Sequence, residues 1–251
     1  MSAYTALTAA GYRAQVRDKT TVFFTFAFPL IFLVVFGLLF RGQDVKQSGF
    51  SYLSYTASGV LSWGVANAAV FSIGFTLMQW RADDILRMIR MSPAPLSAVI
   101  GSRYVLALGV GLVQSVLFVG VAMLPGFGLV PASRWPLLIP VMVLGTTTFL
   151  LIGVIIGNVA DTPESVAGIA NFLMLPMAFL SGSFFPLDSM PGWLRTVSLI
   201  LPLRHLNDAV AAALTGRGDL SDIGTGCAGL VAFAVVLGAV AVRTFRWTKS
   251  S

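Results

Sequence analysis

Charge, cysteine and histidine are all scarce in this sequence, and each scarcity removes a class of protein. Charged residues make up 10% of the 251 and hydrophobic ones 57%, whereas a soluble domain of this length needs about 25% charged residues to wet its surface. The chain therefore reads as a membrane protein. Cys227 stands alone, so no intramolecular disulfide can form, and its place in an apolar run makes it a small packing residue. A single histidine without zinc-type spacing offers no metal site. No glycine run precedes Lys19 in "RDKT", so a phosphate-binding loop is missing as well. The net charge of +6 suits anionic headgroups and membrane orientation, and nucleic acid is not expected as a partner.

What is present is a series of apolar windows. About 20 apolar residues cross roughly 30 Å of hydrocarbon, and six windows approach that length: Val22–Phe40, Tyr55–Met78, Tyr104–Leu124, Leu137–Gly157, Val166–Leu180 and Ile223–Val242. The fifth contains Pro176 and is expected to be kinked or tilted against its neighbours. None of the six holds Asp, Glu, His, Lys or Arg. Ion-coupled carriers and proton pumps require such groups along their pathway, so the energy for any transport must come from outside the spans.

Residues 1–20 are polar and basic, without a cleavage site, and the first span is expected to be retained. Arg13, Arg17 and Lys19, with Tyr4, Leu7 and Ala14 on the apolar side, suggest an interfacial helix touching membrane lipids. With the N-terminus inside, ten basic residues fall on the cytoplasmic side and six outside, so both termini are expected in the cytoplasm. Thirteen Arg against three Lys fits a GC-rich bacterial genome, and the expected location is the bacterial plasma (inner) membrane. No internal repeat or linker divides residues 1–251, which form one membrane domain.

Three groups of residues are candidates for function. Between the second and third spans, in residues 79–97, Asp83 and Asp84 begin a short helical run, Arg87 and Arg90 lie near its end, and Pro93 stops it. Ile85, Leu86 and Ile89 fall on one face. Two readings fit: a stiff helix that docks into a cytosolic partner and transmits its movement, or an amphipathic helix resting on headgroups. Within the spans, Asn67 and Asn171 are either interhelical hydrogen-bonding groups or substrate ligands, and Phe71, Phe75, Met174 and Phe179 either line an adaptable pathway or simply pack. Finally, "LSGSFFPLDSMPGWLRTVSLILPL", residues 180–203 within an interspan segment 181–222, is apolar but broken by Pro186, Pro191, Gly192 and Pro202. Irregular backbone at membrane depth has to be buried in protein or line a cavity. The segment reads as a re-entrant pair with Trp193 at the interface, or as a surface loop carrying an interfacial helix.

Together these segments resemble the membrane subunit of an ATP-binding-cassette exporter of the ABC type-2 permease family. The resemblance covers nearly the whole chain and is most specific from Asn171 to Val210. There Pro176, Ser181-Gly182, Phe185-Pro186, Met190-Pro191-Gly192-Trp193-Leu194, Pro202-Leu203, His205 and Asp208 look like the family's fifth-span signature. "RMSPAPLSAVIGSRY" is similar to the family's sequence before the third span, and "RDKTTVFFTFAFPLIFLVVFGLLF", with Pro29, to its first span. Ser58 before Gly59 and the Asp83-Asp84 pair depart from the family pattern.

The resemblance implies an all-α membrane protein with six transmembrane helices, an N-terminal interfacial helix, a cytoplasmic coupling helix in Gln79–Met91 and an outer re-entrant element in Ser181–Leu203. It implies an ATPase contact through Asp83, Asp84, Ile85, Leu86, Arg87, Ile89 and Arg90, and a substrate path or dimer interface at Asn67, Phe71, Phe75, Asn171, Met174 and Phe179. The outer gate would comprise Ser181, Gly182, Phe185, Pro186, Pro191 and Trp193. This chain is then no enzyme and binds no cofactor itself. ATP and Mg belong to cytosolic ABC ATPase subunits, and a second permease, identical or sister, completes the exporter. The implied cargo is a hydrophobic or amphipathic drug, antibiotic, natural product or lipid. The rival readings are an intramembrane enzyme, for which His205 and Asp208 are the close candidates, and a carrier or channel not coupled to ATP.

Overall fold

The computed structural model describes residues 8–9, 11–13, 16–17, 19–39, 52–91, 96–125, 127, 129–187 and 190–245, with the backbone alone for Thr20, Thr21, Phe24, Ile89, Arg90 and 96–100. All regular structure among them is helical. Tyr4, Leu7 and Ala14 of the expected interfacial helix, Pro93 after the coupling segment, and Asp188 lie outside the described residues.

The first apolar stretch runs as α1 (Lys19–Val22), a π-helical turn (Phe23–Ala27) and α2 (Phe28–Leu39). Pro29 lacks an N–H and crowds the preceding turn, and the helix responds by widening just upstream, where the Phe28 N–H reaches back to the Phe23 carbonyl. Helix thus runs without a break from Lys19 to Leu39, and Phe40, the end of the expected window Val22–Phe40, lies outside the described residues. Then follow α3 (Tyr52–Ala82), α4 (Ile85–Met91), α5 (Leu96–Ala122), a 3-10 turn at Trp135–Leu137, α6 (Leu138–Val159), α7 (Pro163–Leu180), α8 (Gly192–Ser198), α9 (Pro202–Leu214) and α10 (Leu220–Thr244).

Five helical stretches among the described residues are long and apolar enough to cross a membrane: Tyr52–Ala82, Gly101–Ala122, Trp135–Val159, Pro163–Leu180 and Leu220–Thr244. A sixth is counted if α8 and α9, bent by 92° to one another, form one broken span. The five correspond to the second to sixth expected windows, and the sixth candidate is the bent pair, not the expected first window.

Proline and polar caps place the helix starts. Thr162 is extended, accepts a hydrogen bond from the Ser165 N–H at 3.2 Å and is followed by Pro163 at the first helical position. Leu201 is extended, as a residue before proline prefers, and Pro202 opens α9. Asp219 and Asp222 form a reciprocal capping box at the start of α10. α7 continues through Pro176.

At the centre stands α3, enclosed by α2, α5, α6, α7 and α9. Lipid supplies no hydrophobic drive between helices, so close packing of small residues has to do it. Gly153 and Gly157 of α6 provide this against α3: a Cβ at Gly153 would lie 2.5 Å from the Val70 carbonyl oxygen, and one at Gly157 2.6 Å from that of Gly74. Gly153→Ala must push the two backbones apart, so a loss of about 1–3 kcal/mol is expected. Thermal unfolding of the purified chain in micelles measures it, and an unchanged transition contradicts this seam. α10, by contrast, exposes Val231, Val235, Val236 and Val242 and presents them to lipid.

Candidate functional site

A groove of about 1070 Å³ opens between α2, α3 and α7. Asn67, Phe71 and Phe75 recur every four residues along α3, and Asn171, Leu175 and Phe179 do so along α7, so each helix presents one continuous ridge to it. Phe28, Pro29 and Phe32 of α2 supply the third wall. Ser72, Thr76 and Gln79 add polar groups to an otherwise apolar lining. Five of the six residues expected on the path line this groove. Met174 does not: it is fully buried in the core behind α7, since one step along a helix from Leu175 turns a side chain by about 100°.

One end of the groove is closed by aromatic rings. Phe184 sits 5.7 Å from Phe32, 5.4 Å from Trp63 and 5.2 Å from Phe179 between ring centroids. Phe185 is stacked on Phe179 and 41% exposed. The other end reaches Trp80, Asp83, Ile85 and Arg103. The Arg103 guanidinium lies 4.8 Å over the Trp80 ring, a cation–π contact that holds it at that mouth.

The aromatic plug is held by a turn, 181–187, that docks onto α3 and α9. Gly182 has φ +76, a conformation that favours glycine. The Tyr55 hydroxyl donates to the carbonyls of Gly182 and, at 2.9 Å, Phe185, and that of Tyr52 donates to the Phe184 carbonyl at 3.0 Å. The Asn207 amide of α9 donates to the Ser181 carbonyl and to Ser183 Oγ, both at 2.9 Å. Arg217 lies 4.4 Å over the Tyr55 ring, and Arg204 pairs with Asp208 at 2.5 Å. Of the expected gate residues, Ser181 and Gly182 are buried in this turn, Pro186 is half-buried, and Pro191 and Trp193 are exposed beyond it. Phe184, Tyr52, Tyr55 and Asn207 were not foreseen; the adjacent aromatic pair Phe184-Phe185 was the available signal.

At the opposite end of α3, the expected helical run begins two residues later than the sequence suggests. Gln79–Ala82 complete α3, Asp83 and Asp84 form a tight turn, and α4 spans Ile85–Met91. Asp84 has φ +56, which a short polar side chain tolerates, and its carbonyl accepts from the Met88 N–H at 3.1 Å. Leu86 is fully buried in the core, Ile85 half-buried, and Asp83, Arg87 and Met88 are exposed. Leu86 thus anchors α4 to its own bundle, and Arg87 is outward. The side chains of Ile89 and Arg90 lie outside the described set.

Beside α4, Arg81 is buried, a position its place in a basic flank did not announce. Its guanidinium donates to the Asn158 carbonyl, to the Ala160 carbonyl at 2.6 Å and to Asp161 Oδ1 at 2.8 Å. Asn158 Nδ2 in turn donates to the Thr244 carbonyl.

The comparisons with known proteins agree with this architecture. Residues 2–215 match the family described as ABC-2 type transporter. The chain belongs to the ABC-2 type transporter family. It is accordingly the membrane permease, the transport subunit of such a system. This ABC-2 permease is 26% identical over 217 residues to nodulation protein J of Rhizobium meliloti (strain 1021), covering 83% of this chain and 79% of that one. It is 20% identical over 190 residues to the inner membrane transport permease YadH of Escherichia coli (strain K12), covering 76% and 73%. To the daunorubicin resistance ABC transporter permease protein DrrB1 of Streptomyces coeruleorubidus it is 27% identical over 225 residues, covering 87% and 77%. The rival enzyme reading falls with this membership, and its two candidates are otherwise engaged. Asp208 is held by Arg204, and His205 Nε2 lies 3.0 Å from the Leu199 carbonyl with its ring against Phe233.

Proposed function

We propose that this permease is half of an ATP-driven exporter that moves a hydrophobic or amphipathic molecule outward across a bacterial inner membrane. The observation that carries this reading is the groove itself, apolar with scattered amides and hydroxyls, running from Trp80, Asp83 and Ile85 beside α4 to Phe184 and its aromatic neighbours at the other end. Such a lining suits a drug, antibiotic, natural product or lipid better than a highly charged solute. The relatives named for inner membrane transport and for daunorubicin resistance point the same way.

In this account α4 is the coupling helix and offers Asp83, Arg87 and Met88 to a cytosolic ABC ATPase, which binds ATP and Mg. Both chain termini then lie in the cytoplasm, Lys19–Leu39 makes the first crossing, and the 181–203 segment is the outer re-entrant gate. A second permease, the same chain or a sister, covers the exposed apolar face of α7, where Phe172, Leu175 and Phe179 stand outward. Closure of the ATPases pushes the two α4 helices and switches the bundles between two packed arrangements.

Filling the groove tests the reading. In cells carrying the permease with its ATPase, Asn171→Trp is expected to lower daunorubicin efflux by about tenfold or more, because a misfitted wall disrupts a site built on shape. Val231→Trp on the lipid-facing side of α10 should leave efflux within about twofold. Equal efflux from the two variants would remove the groove from the pathway.

A further inference from the structure

We infer that Arg81 is the positioning residue through which the coupling helix moves α7, the wall of the groove that carries Asn171 and Phe179. The inference rests on the reading of α4 as the ATPase contact and assigns the link that reading leaves open.

The Arg81 side chain is 3% exposed, and burying a guanidinium is costly unless every donor direction is answered. Here the answer comes from three acceptors on another part of the fold. The carbonyls of Asn158 and Ala160 are among the last of α6, the groups a helix end leaves without intrahelical partners, and they sit at its negative pole. Asp161 belongs to the link between α6 and α7, one residue before Thr162, the cap of α7. Through Asn158 the same node reaches the carbonyl of Thr244, the last residue of α10. One side chain therefore ties the end of α3 to the ends of α6 and α10 and to the start of α7.

On its other side Arg81 is joined to α4 by very little chain. The Asp83 N–H bonds back to the Gln79 carbonyl at 2.9 Å and the Asp84 N–H to that of Arg81 itself at 3.4 Å, so the connection is a closed turn with little slack. Leu86, locked in the core, keeps α4 from swinging independently. A push on α4 thus arrives at Arg81. A planar guanidinium holds its donors in a rigid fork and so passes displacement to three acceptors at fixed angles, whereas the three donors of an ammonium rotate on a flexible stem. α7 is free to respond, since Ala167, Asn171, Leu175 and Phe179 border open groove instead of packed helix.

The test uses the permease with its co-purifying ATPase in nanodiscs, spin-labelled at Met88→Cys and Glu164→Cys, both exposed positions, in a Cys227→Ser background. Distances are read by electron double resonance with and without ATP and vanadate. With Arg81 intact, α4 and the start of α7 move as one body, and the separation is expected to stay within about 2 Å, the scale of ordinary helix shifts. In Arg81→Gln and in Arg81→Lys it should become nucleotide-dependent, by more than about 3 Å, while ATP hydrolysis persists. Asp161→Asn, whose amide oxygen can still accept from the guanidinium, should behave like the parent. A nucleotide-dependent separation with Arg81 intact overturns the inference, and needs no variant at Arg81 to fold. So does invariance in Arg81→Gln, or rescue by Arg81→Lys, which would reduce the role to charge. Failure of the underlying reading shows separately, as a Met88 label whose spectrum does not change when the ATPase is added.

Discussion

Leu86→Asp is expected to abolish export, by about 100-fold or more, while the chain still reaches the membrane. Leu86 is completely buried and is the side chain by which α4 is fastened to the bundle. An unpaired carboxylate in that place costs several kcal/mol, so the helix detaches instead of burying it. A detached α4 can still meet an ATPase but has nothing stiff to push against. Efflux from cells, together with the amount of chain in the membrane fraction, measures this. Normal efflux with normal insertion would show that α4 transmits nothing. A proline at Ile85 is a less direct probe, because the first position of a helix accepts proline. Its damage would come through Asp84, whose φ of +56 a residue before proline does not readily adopt.

The second large effect is expected from one methyl group at the opposite end. In Gly59→Ala the new Cβ would lie 2.1 Å from the carbonyl oxygen of Ser183, a backbone atom, so the 181–187 turn has to lift off α3. The turn is held there by Tyr52, Tyr55 and Asn207, and lifting it strains all three contacts at once. Overpacking of this kind costs about 1–3 kcal/mol. Because Phe184 travels with the turn, the aromatic plug should also open. The expected result is a lowered unfolding temperature together with at least about tenfold loss of efflux, since such a rate corresponds to only about 1.4 kcal/mol. A fully stable and active Gly59→Ala permease would mean that this turn is not the gate.

Much of this was legible in the sequence because lipid is a demanding solvent. Windows without charge can only be spans or buried segments, and all but the first emerged as helices long enough to cross. The groove was legible where it repeats a helical interval: Asn67, Phe71 and Phe75 share a face by spacing alone. Met174 failed by the same rule, since its neighbour Leu175 owns the groove side of α7. What stayed hidden depends on distant chain. Arg81 reads as one more basic residue flanking a span, and its burial becomes intelligible only with the carbonyls of Asn158 and Ala160 and the carboxylate of Asp161, 77 to 80 residues further on, in place. Which of Phe184 and Phe185 enters the plug is decided by the left-handed turn at Gly182, not by composition. The π-turn just before Pro29 is likewise something a hydropathy window does not register.

In this reading, spans whose apolar windows hold no charged group are moved by an external ATPase acting on α4. Proteoliposomes holding the purified permease, with and without its co-purifying ATPase, test it most directly through accumulation of the efflux probe. Accumulation against a gradient is expected only when both ATPase and ATP are present, and none from a proton or sodium gradient. Uphill accumulation by the permease alone on either ion gradient would contradict it.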